Sequence, residues 1–169
     1  MKNKDCLAET PRLYLRRLGM DDLSMMHKLL SDPLVMKYSL KGLYSREETK
    51  KLIESMLANE KKTGFGGCSV ICKETGRRIG FIGLWQTEEE DGLLTDLGYR
   101  FFSKYWNKGY ATESIKAALA YIKQKLPATP IIALIDLRNQ ASIMVAKKAG
   151  MCFVENKIYR RINVAVYQL

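Results

Sequence analysis

Residues 96–114 read DLGYRFFSKYWNKGYATES, in which a strand end is followed by a glycine-containing turn and the start of a long helix. The helix is predicted from about residue 109 to 124, because apolar residues recur at helical spacing. Free backbone N–H groups at a helix start bind phosphate, and the helix dipole favours a pyrophosphate. Gly109 allows close approach of a ligand, and Ala111 keeps the first turn small. The stretch indicates an anion site, with an unliganded helix start as the alternative.

The segments on either side predict a mixed sheet. Upstream, GCSVICKE, RIGFIGLWQ and LLTDLGYRF form an antiparallel meander with an acidic turn at 88–92. Downstream, PIIALID is an apolar strand, Asn139 caps a helix running to Gly150, and FVENKIYR and NVAVYQL form a closing hairpin. A strand, a crossover helix and another strand imply one central parallel pair within a mostly antiparallel sheet.

The N-terminal part predicts one strand and two helices. Residues 12–18 alternate polar and apolar side chains, as in a half-buried strand. One helix begins at Asp21 and Asp22, and a second, opened by a capping box between Ser45 and Glu48, runs to about residue 60. The order β-α-α-β-β-β-α-β-α-β-β predicts an α/β (α+β) fold with helices on both faces, in a single domain spanning 1–169.

Composition limits the possible partners. Lys and Arg number 28 against 18 Asp and Glu, a formal charge of +10, which favours polyanionic ligands. The basic residues are scattered rather than gathered with aromatics, which argues against a nucleic-acid site. The cysteines lack C-x-x-C spacing and His27 is the single histidine, so we expect no metal. Without an apolar signal region or a spanning segment, we expect a soluble, cytoplasmic protein and no membrane partner.

The segments together resemble the GCN5-related N-acetyltransferase (GNAT) family, in particular its RimJ/RimL branch of ribosomal-protein N-terminal acetyltransferases. The resemblance covers nearly the whole chain, since TPRLYLRRLGMDD, LLSDPLVMKY, GRRIGFIGLW, DLGYRFFSKYWNKGYATES and NQASIMVAKKAGM follow the family's order and spacing. It implies a GNAT-type fold, acetyl-CoA as co-substrate, no metal, and transfer of an acetyl group onto an amine.

The family's phosphate motif is Arg or Gln, two residues, Gly, one residue, then Gly or Ala. Trp106, Gly109 and Ala111 occupy those places here, so Trp106 departs from the motif and removes one side-chain contribution to pyrophosphate binding. The resemblance still implies a cradle of backbone amides, which belong to Lys108, Gly109, Tyr110, Ala111 and Thr112.

The resemblance also implies roles on the neighbouring strand and helix. Backbone groups of Phe101 and Phe102 would hold the pantetheine arm and the thioester carbonyl as an oxyanion hole, while both side chains also read as core aromatics. Asn139 matches the family's contact to the amide arm of the cofactor, and it also reads as a plain helix N-cap. Ser142 lies one turn further along the same helix face and is a further cofactor contact.

Two acid-base roles follow from the reaction. An amine with a pKa near about 10 is mostly protonated at neutral pH, so a base is needed before its nitrogen attacks. Asp96 is the candidate base, and a surface-facing or salt-bridged strand acid is the alternative. Ala146 stands where the family often has a Tyr as general acid, which leaves Ser142 or a water to protonate the thiolate. The acidic turn could attract a cationic substrate or be a solvated loop.

The implied mechanism is direct transfer, because the cysteines have no catalytic histidine partner. The acceptor is a protein N-terminal amine in the RimJ/RimL interpretation, and an amino acid, polyamine or antibiotic in the alternative. A third interpretation is a non-catalytic acyl-CoA-binding module. A homodimer is a further option, with the final hairpin and the second helix as contact surfaces.

Overall fold

One eight-stranded sheet with helices on both faces forms the protein, which confirms the predicted fold class. The computed structural model describes residues 5–89 and 92–169, without the side chains of 86–89 and 92–94. The predicted acidic turn therefore lies largely outside the described residues, because Glu90, Asp91 and the side chains of Glu88 and Glu89 are among those left out.

The strands are Cys6–Glu9 (β1), Leu13–Arg17 (β2), Gly67–Cys72 (β3), Arg78–Glu89 (β4), Gly92–Phe101 (β5), Ile131–Asp136 (β6), Cys152–Tyr159 (β7) and Ile162–Gln168 (β8). They lie in the order β1-β2-β3-β4-β5-β6-β8-β7, and neighbours are antiparallel except β5 and β6. The predicted parallel pair is thus confirmed. The prediction of one opening strand missed β1, whose four residues are too few to show an alternating pattern and become a strand by pairing with β2.

The α-helices are Leu23–Leu30 (α1), Arg46–Thr63 (α2), Tyr110–Lys125 (α3) and Gln140–Lys148 (α4). The predicted capping box opens α2: Glu48 N donates to Ser45 Oγ at 3.1 Å, and Ser45 N donates to Glu48 Oε2 at 2.8 Å. Short 3-10 turns precede α1 and α3. No helix in the described part of the chain is long and apolar enough to cross a membrane.

The sheet separates two apolar cores. Ile115 of α3 and Phe101 of β5 belong to the core beneath α3 and α4, whereas Ile53 of α2 and Phe81 of β4 belong to the core beneath α1 and α2. Each such buried side chain contributes about 1.5 to 3 kcal/mol. Because side chains alternate along a strand, the even-numbered residues of β5, including Asp96, face the α1 and α2 side.

The two parallel strands diverge soon after they meet. Their register consists of Thr95 opposite Ile131 and Asp96 opposite Ile132, while β5 continues beside β4 as far as Phe101. Beyond Asp96, the free edge of β5 therefore faces a gap between β5 and β6.

The C-terminal hairpin leaves apolar side chains exposed. Strand β7 lies at the sheet edge, and Phe153, Val154 and Ile158 are 53%, 51% and 75% exposed. This exposure agrees with the hairpin as a self-contact surface, and self-association stays a prediction.

Candidate active site

The start of α3 has the geometry of an anion site. Gly109 is its N-cap residue at φ 78°, a left-handed conformation that favours glycine. Glu113 N donates to Gly109 O at 3.0 Å, which is the first bond of the helix. The amides of Tyr110, Ala111 and Thr112 precede that bond, so they have no carbonyl partner within the helix. Three of the five predicted cradle residues thus present N–H groups at the positive end of a 16-residue helix.

Arg12, the residue immediately before β2, stabilises the turn before α3. Its Nη1 donates to Lys108 O at 2.9 Å, its Nε donates to Glu113 Oε2 at 2.6 Å, and its Cζ lies 4.5 Å from the Tyr110 ring centroid. Burial works to raise the pKa of Glu113, but hydrogen bonds from Thr10 and Arg12 outweigh it and lower that pKa. Sequence reasoning missed Arg12, because nothing local in residues 10–12 points to a helix about one hundred residues later.

The end of β5 is held by an indole. Trp106 Nε1 donates to Phe101 O at 2.8 Å, so this departure from the family motif ties the turn to the strand. Phe102 N donates to Ile79 O at 3.1 Å, and Phe102 O accepts from Tyr105 N at 2.9 Å. Both backbone groups of Phe102 are therefore occupied, which removes it as an oxyanion donor. By antiparallel alternation, the Phe101 amide points away from β4 and into the gap.

Two cavities meet in this gap. The first, about 700 Å³ and here named the α3 cavity, is lined by Gly109, Tyr110, Ala111, Thr112, Asn139 and Ser142, together with Phe101. The second, about 650 Å³ and named the α2 cavity, lies on the α1 and α2 side and includes Asp96 and Trp85. Both include Tyr38, Tyr99, Arg100, Asn139, Ser142 and Val145. Most predicted site residues are thus brought together around one junction.

A pair of hydroxyls lies at that junction. Asn139 Oδ1 accepts from Ser142 N at 3.2 Å, so its predicted capping role is confirmed. Tyr99 donates its phenolic hydrogen to Ser142 Oγ at 3.0 Å. Burial raises the pKa of Tyr99, while the bond to Ser142 opposes that rise, so the phenol stays protonated at neutral pH. Ala146 is buried and offers no hydroxyl, and Tyr99 brings one from β5 instead.

Asp96 lies where the parallel strands separate. Its Oδ1 accepts from Leu134 N at 3.1 Å, which satisfies an amide that the diverging strands leave unpaired. Burial raises the pKa of Asp96 to about 6, against smaller opposing effects from the Leu134 amide and Arg100. Within the described side chains Asp96 forms no salt bridge, so the salt-bridge alternative does not describe it, and the side chain is half-buried in the lining of the α2 cavity.

Cys68 is a fully buried thiol. All four cysteines are free thiols, and burial raises the pKa of Cys68 to about 12, which removes its thiolate at neutral pH. Among the side chains that the structure describes, no group of three or more from His, Cys, Asp or Glu could hold a metal ion.

The comparisons with known proteins agree on a family. The model of the acetyltransferase (GNAT) domain matches residues 12–152. The uncharacterized protein YkkB of Bacillus subtilis is 33% identical, covering 94% of this chain and 92% of its own, and the uncharacterized N-acetyltransferase YnaD of the same organism is 30% identical, covering 84% and 80%. The crystal structure of a GNAT-family acetyltransferase from Bacillus anthracis is 27% identical with a TM-score of 0.73, covering 95% of each chain. The chain therefore belongs to the GNAT acetyltransferase family and is an acetyl-CoA-dependent N-acetyltransferase.

Proposed function

We propose that this protein transfers acetyl directly onto a primary amine at the junction of the two cavities, with Asp96 as the general base. The observation that supports this most is the position and pKa of Asp96. A carboxylate with a pKa of about 6 is ionised at neutral pH, yet it binds a proton more readily than an ordinary Asp. It lines the α2 cavity, from which the amine would approach.

The α3 cavity is the proposed site for acetyl-CoA. The residues present fit this molecule, because the first-turn amides of α3 suit a pyrophosphate and Asn139 Nδ2 is a donor suited to an amide arm. The co-substrate supplies a thioester, and the C–S bond of this thioester must break during transfer. Gly109 lines the α3 cavity with the first-turn residues, whereas Lys108 is not part of that lining and its carbonyl accepts from Arg12.

The remaining roles belong to groups that face the gap. The Phe101 amide stabilises the oxyanion as the amine nitrogen bonds to the carbonyl carbon. Asp96 takes the proton lost by the nitrogen. When the C–S bond breaks, Ser142 donates its hydroxyl proton to the thiolate and recovers one from Tyr99. Between turnovers Tyr99 regains a proton from solvent and Asp96 releases one to it through the α2 cavity that both line. This assignment keeps Ser142 as the acid and adds the phenol that the sequence analysis missed.

The acceptor is a small molecule in this proposal. The RimJ/RimL resemblance implies a protein N-terminus, and ribosomal proteins are basic. The α2 cavity, at about 650 Å³, has the size of a small-molecule site, and Lys51 and Arg160 line it and would repel a basic peptide. A non-catalytic module has less support, because Asp96 and the Tyr99–Ser142 pair are the groups that turnover requires.

Two further expectations are kept in the proposal. A cytoplasmic location is supported by the four free thiols, which a reducing compartment maintains. A homodimer is supported by the exposed apolar side chains of β7. Fractionation of cells and sedimentation of the purified protein test them separately.

The decisive experiment combines binding and turnover. Thermal unfolding is followed with and without acetyl-CoA, and thiol release is measured on amino acids, polyamines, aminoglycosides and N-terminal peptides. Stabilisation together with thiol release on a small amine supports the proposal. Release on peptides alone favours the protein N-terminus, stabilisation without release favours the binding module, and no stabilisation contradicts the assignment of the α3 cavity.

A further inference from the structure

Arg100 differs from the ion-paired arginines of this protein. Five others each form an ion pair with a carboxylate, namely Arg12, Arg16, Arg17, Arg78 and Arg138. Arg100 forms none with residues 5–85 or 95–169, whose side chains the structure describes. Its Nη1 donates to Tyr99 O at 2.7 Å and its Nε to Met36 Sδ at 3.3 Å, and neither partner is charged.

A part-buried guanidinium without an ion-pair partner is costly to maintain. Burial lowers the pKa of Arg100 from its usual value, which reflects loss of solvation around the charge. Proteins normally pair such a group, because a charge withdrawn from water without a partner loses solvation that nothing replaces. Asp96 acts on Arg100 electrostatically but forms no ion pair with it. Arg100 lines both the α2 and α3 cavities, so a bound ligand can supply the contacting anion there.

Arg100 and the proposed base lie on the same wall. Asp96, Gly98 and Arg100 alternate with core residues along β5, so all three face the α2 cavity. A Cβ on Gly98 would lie 2.6 Å from the Trp85 ring, so only glycine at this position leaves room for the indole in the lining of the α2 cavity. The wall thus presents a proton acceptor and a fixed cation, separated by a flat aromatic surface.

The α2 cavity is also lined by carboxylates, of which Glu48 pairs with Lys41 and Asp136 with Arg138, while Asp96 is the proposed base. A polyamine or an aminoglycoside would place further cations beside Arg100, and beside Lys51 and Arg160 in the same cavity. Lys41 is already neutralised by Glu48 at 3.0 Å. An amine with its own carboxylate instead pairs its anion with a planar guanidinium, which binds carboxylates through two parallel hydrogen bonds.

We propose that Arg100 binds a carboxylate of the acceptor, so that the substrate is an amino-acid-like amine rather than a polycation. This inference rests on the proposed function, since it assumes that the amine enters the α2 cavity. It specifies what that function leaves open, which is the chemical group that the acceptor carries beside its nitrogen.

The test uses amines that differ only in the carboxylate. Leucine is compared with isopentylamine and leucinamide, phenylalanine with phenethylamine, and lysine with cadaverine, by thiol release with the whole 169-residue chain. The expected kcat/KM is about 10 to 100 times higher for the best amino acid than for its decarboxylated analogue. Leucinamide separates a carboxylate requirement from a requirement for a carbonyl alone, as a peptide would satisfy.

Arg100→Gln is expected to reduce this ratio to near one, by lowering kcat/KM for the amino acid far more than for the analogue, and Arg100→Lys to restore part of it. Arg77→Gln, on the exposed turn between β3 and β4, is the matched control and should keep the wild-type ratio. An equal loss on both members of a pair would mean that Arg100 is only structural, and equal turnover of both by the wild type overturns the proposal.

A binding measurement separates this inference from the proposed function. Amino-acid binding to the protein saturated with coenzyme A is measured by calorimetry for the wild type and Arg100→Gln. Binding that Arg100→Gln abolishes, without thiol release on any amine, upholds the carboxylate site and contradicts the catalytic proposal. Thiol release on decarboxylated amines, without any preference for the carboxylate, upholds catalysis and rejects the role of Arg100.

Discussion

Tyr99 on β5 donates a hydrogen bond to Ser142 on α4 across 3.0 Å, and this bond joins a strand and a helix whose residues lie 43 positions apart. The pair lies where the α2 and α3 cavities meet, beside the capped start of α4. Since Ala146 lacks a hydroxyl, this hydroxyl pair is the proposed route by which a proton reaches the leaving thiolate. Two residues that act in sequence should behave as one unit when they are mutated.

Tyr99→Phe and Ser142→Ala are each expected to lower kcat by about 10- to 100-fold, since each interrupts the same proton path. The kcat of the double variant should be only slightly lower than that of the less active single variant. A double-mutant cycle on kcat measures this. Tyr121→Phe, at a partly buried tyrosine in ring contact with Phe65, is the control and should keep its activity. Fully additive losses would show that the two hydroxyls act separately.

Asp96→Asn separates catalysis from folding. Asn keeps an oxygen acceptor for Leu134 N but cannot accept a proton, so kcat should fall by about 100-fold or more while acetyl-CoA still raises the melting temperature.

The same variant should also affect stability. Because the folded pKa of about 6 exceeds the ordinary value of 3.8, ionised Asp96 destabilises the folded state, and this cost develops as pH rises from about 4 through 6. At pH 8, Asp96→Asn should therefore unfold with an equal or larger free energy, by up to about 3 kcal/mol. A clear loss of stability would mean that the charge itself supports the fold.

The pH dependence of turnover follows from the same group. With acceptor and acetyl-CoA saturating, kcat should rise about tenfold per pH unit below 6 and level off above it, because the carboxylate is the active form. The inflection near pH 6 should be absent from the residual rate of Asp96→Asn. An inflection that persists in this variant would belong to another group.

The sequence predicts the elements of this site better than their contacts. Glycine, helix caps and apolar periodicity are local signals, and they locate the turn at Gly109, the cap at Asn139 and the parallel strand pair. No spacing in the sequence predicts the contacts of Arg12, Tyr99 and Arg100. Arg12 and Tyr99 act through partners from distant segments, whereas Arg100 is distinguished by the lack of an ion-pair partner. The hydrogen bond that the Phe102 amide donates to Ile79 O depends on the register between β4 and β5. The sequence pattern does not determine this register.

Arg12→Lys tests whether the N-terminal segment positions the phosphate turn. Lysine keeps the charge but loses the planar fork that contacts Lys108 O, Glu113 and the Tyr110 ring together. We expect the Kd for coenzyme A to rise about tenfold, with kcat at saturating acetyl-CoA nearly unchanged. Arg77→Lys, on an exposed turn, should change neither quantity. An unchanged Kd for Arg12→Lys would mean that the turn keeps its conformation without this clamp.

Gly109→Ala addresses the cradle itself. Gly109 has φ 78°, and an added Cβ would lie 3.3 Å from Arg12 Nη2, so alanine must either strain the backbone or shift the turn. The conformational cost alone is about 1 to 2 kcal/mol in the free energy of unfolding. A shifted turn also misaligns the amides of Tyr110, Ala111 and Thr112, so the Kd for coenzyme A should rise by about tenfold or more.

Gly76→Ala is the matched control for that variant, because Gly76 has φ 65° on the turn between β3 and β4, with open space around an added Cβ. It should lose a similar free energy of unfolding, by denaturant titration, while its Kd for coenzyme A by calorimetry stays at the wild-type value. If both variants weaken coenzyme A equally, the loss reflects general destabilisation. If Gly109→Ala alone weakens it, the left-handed turn before α3 is what aligns the amides for the pyrophosphate.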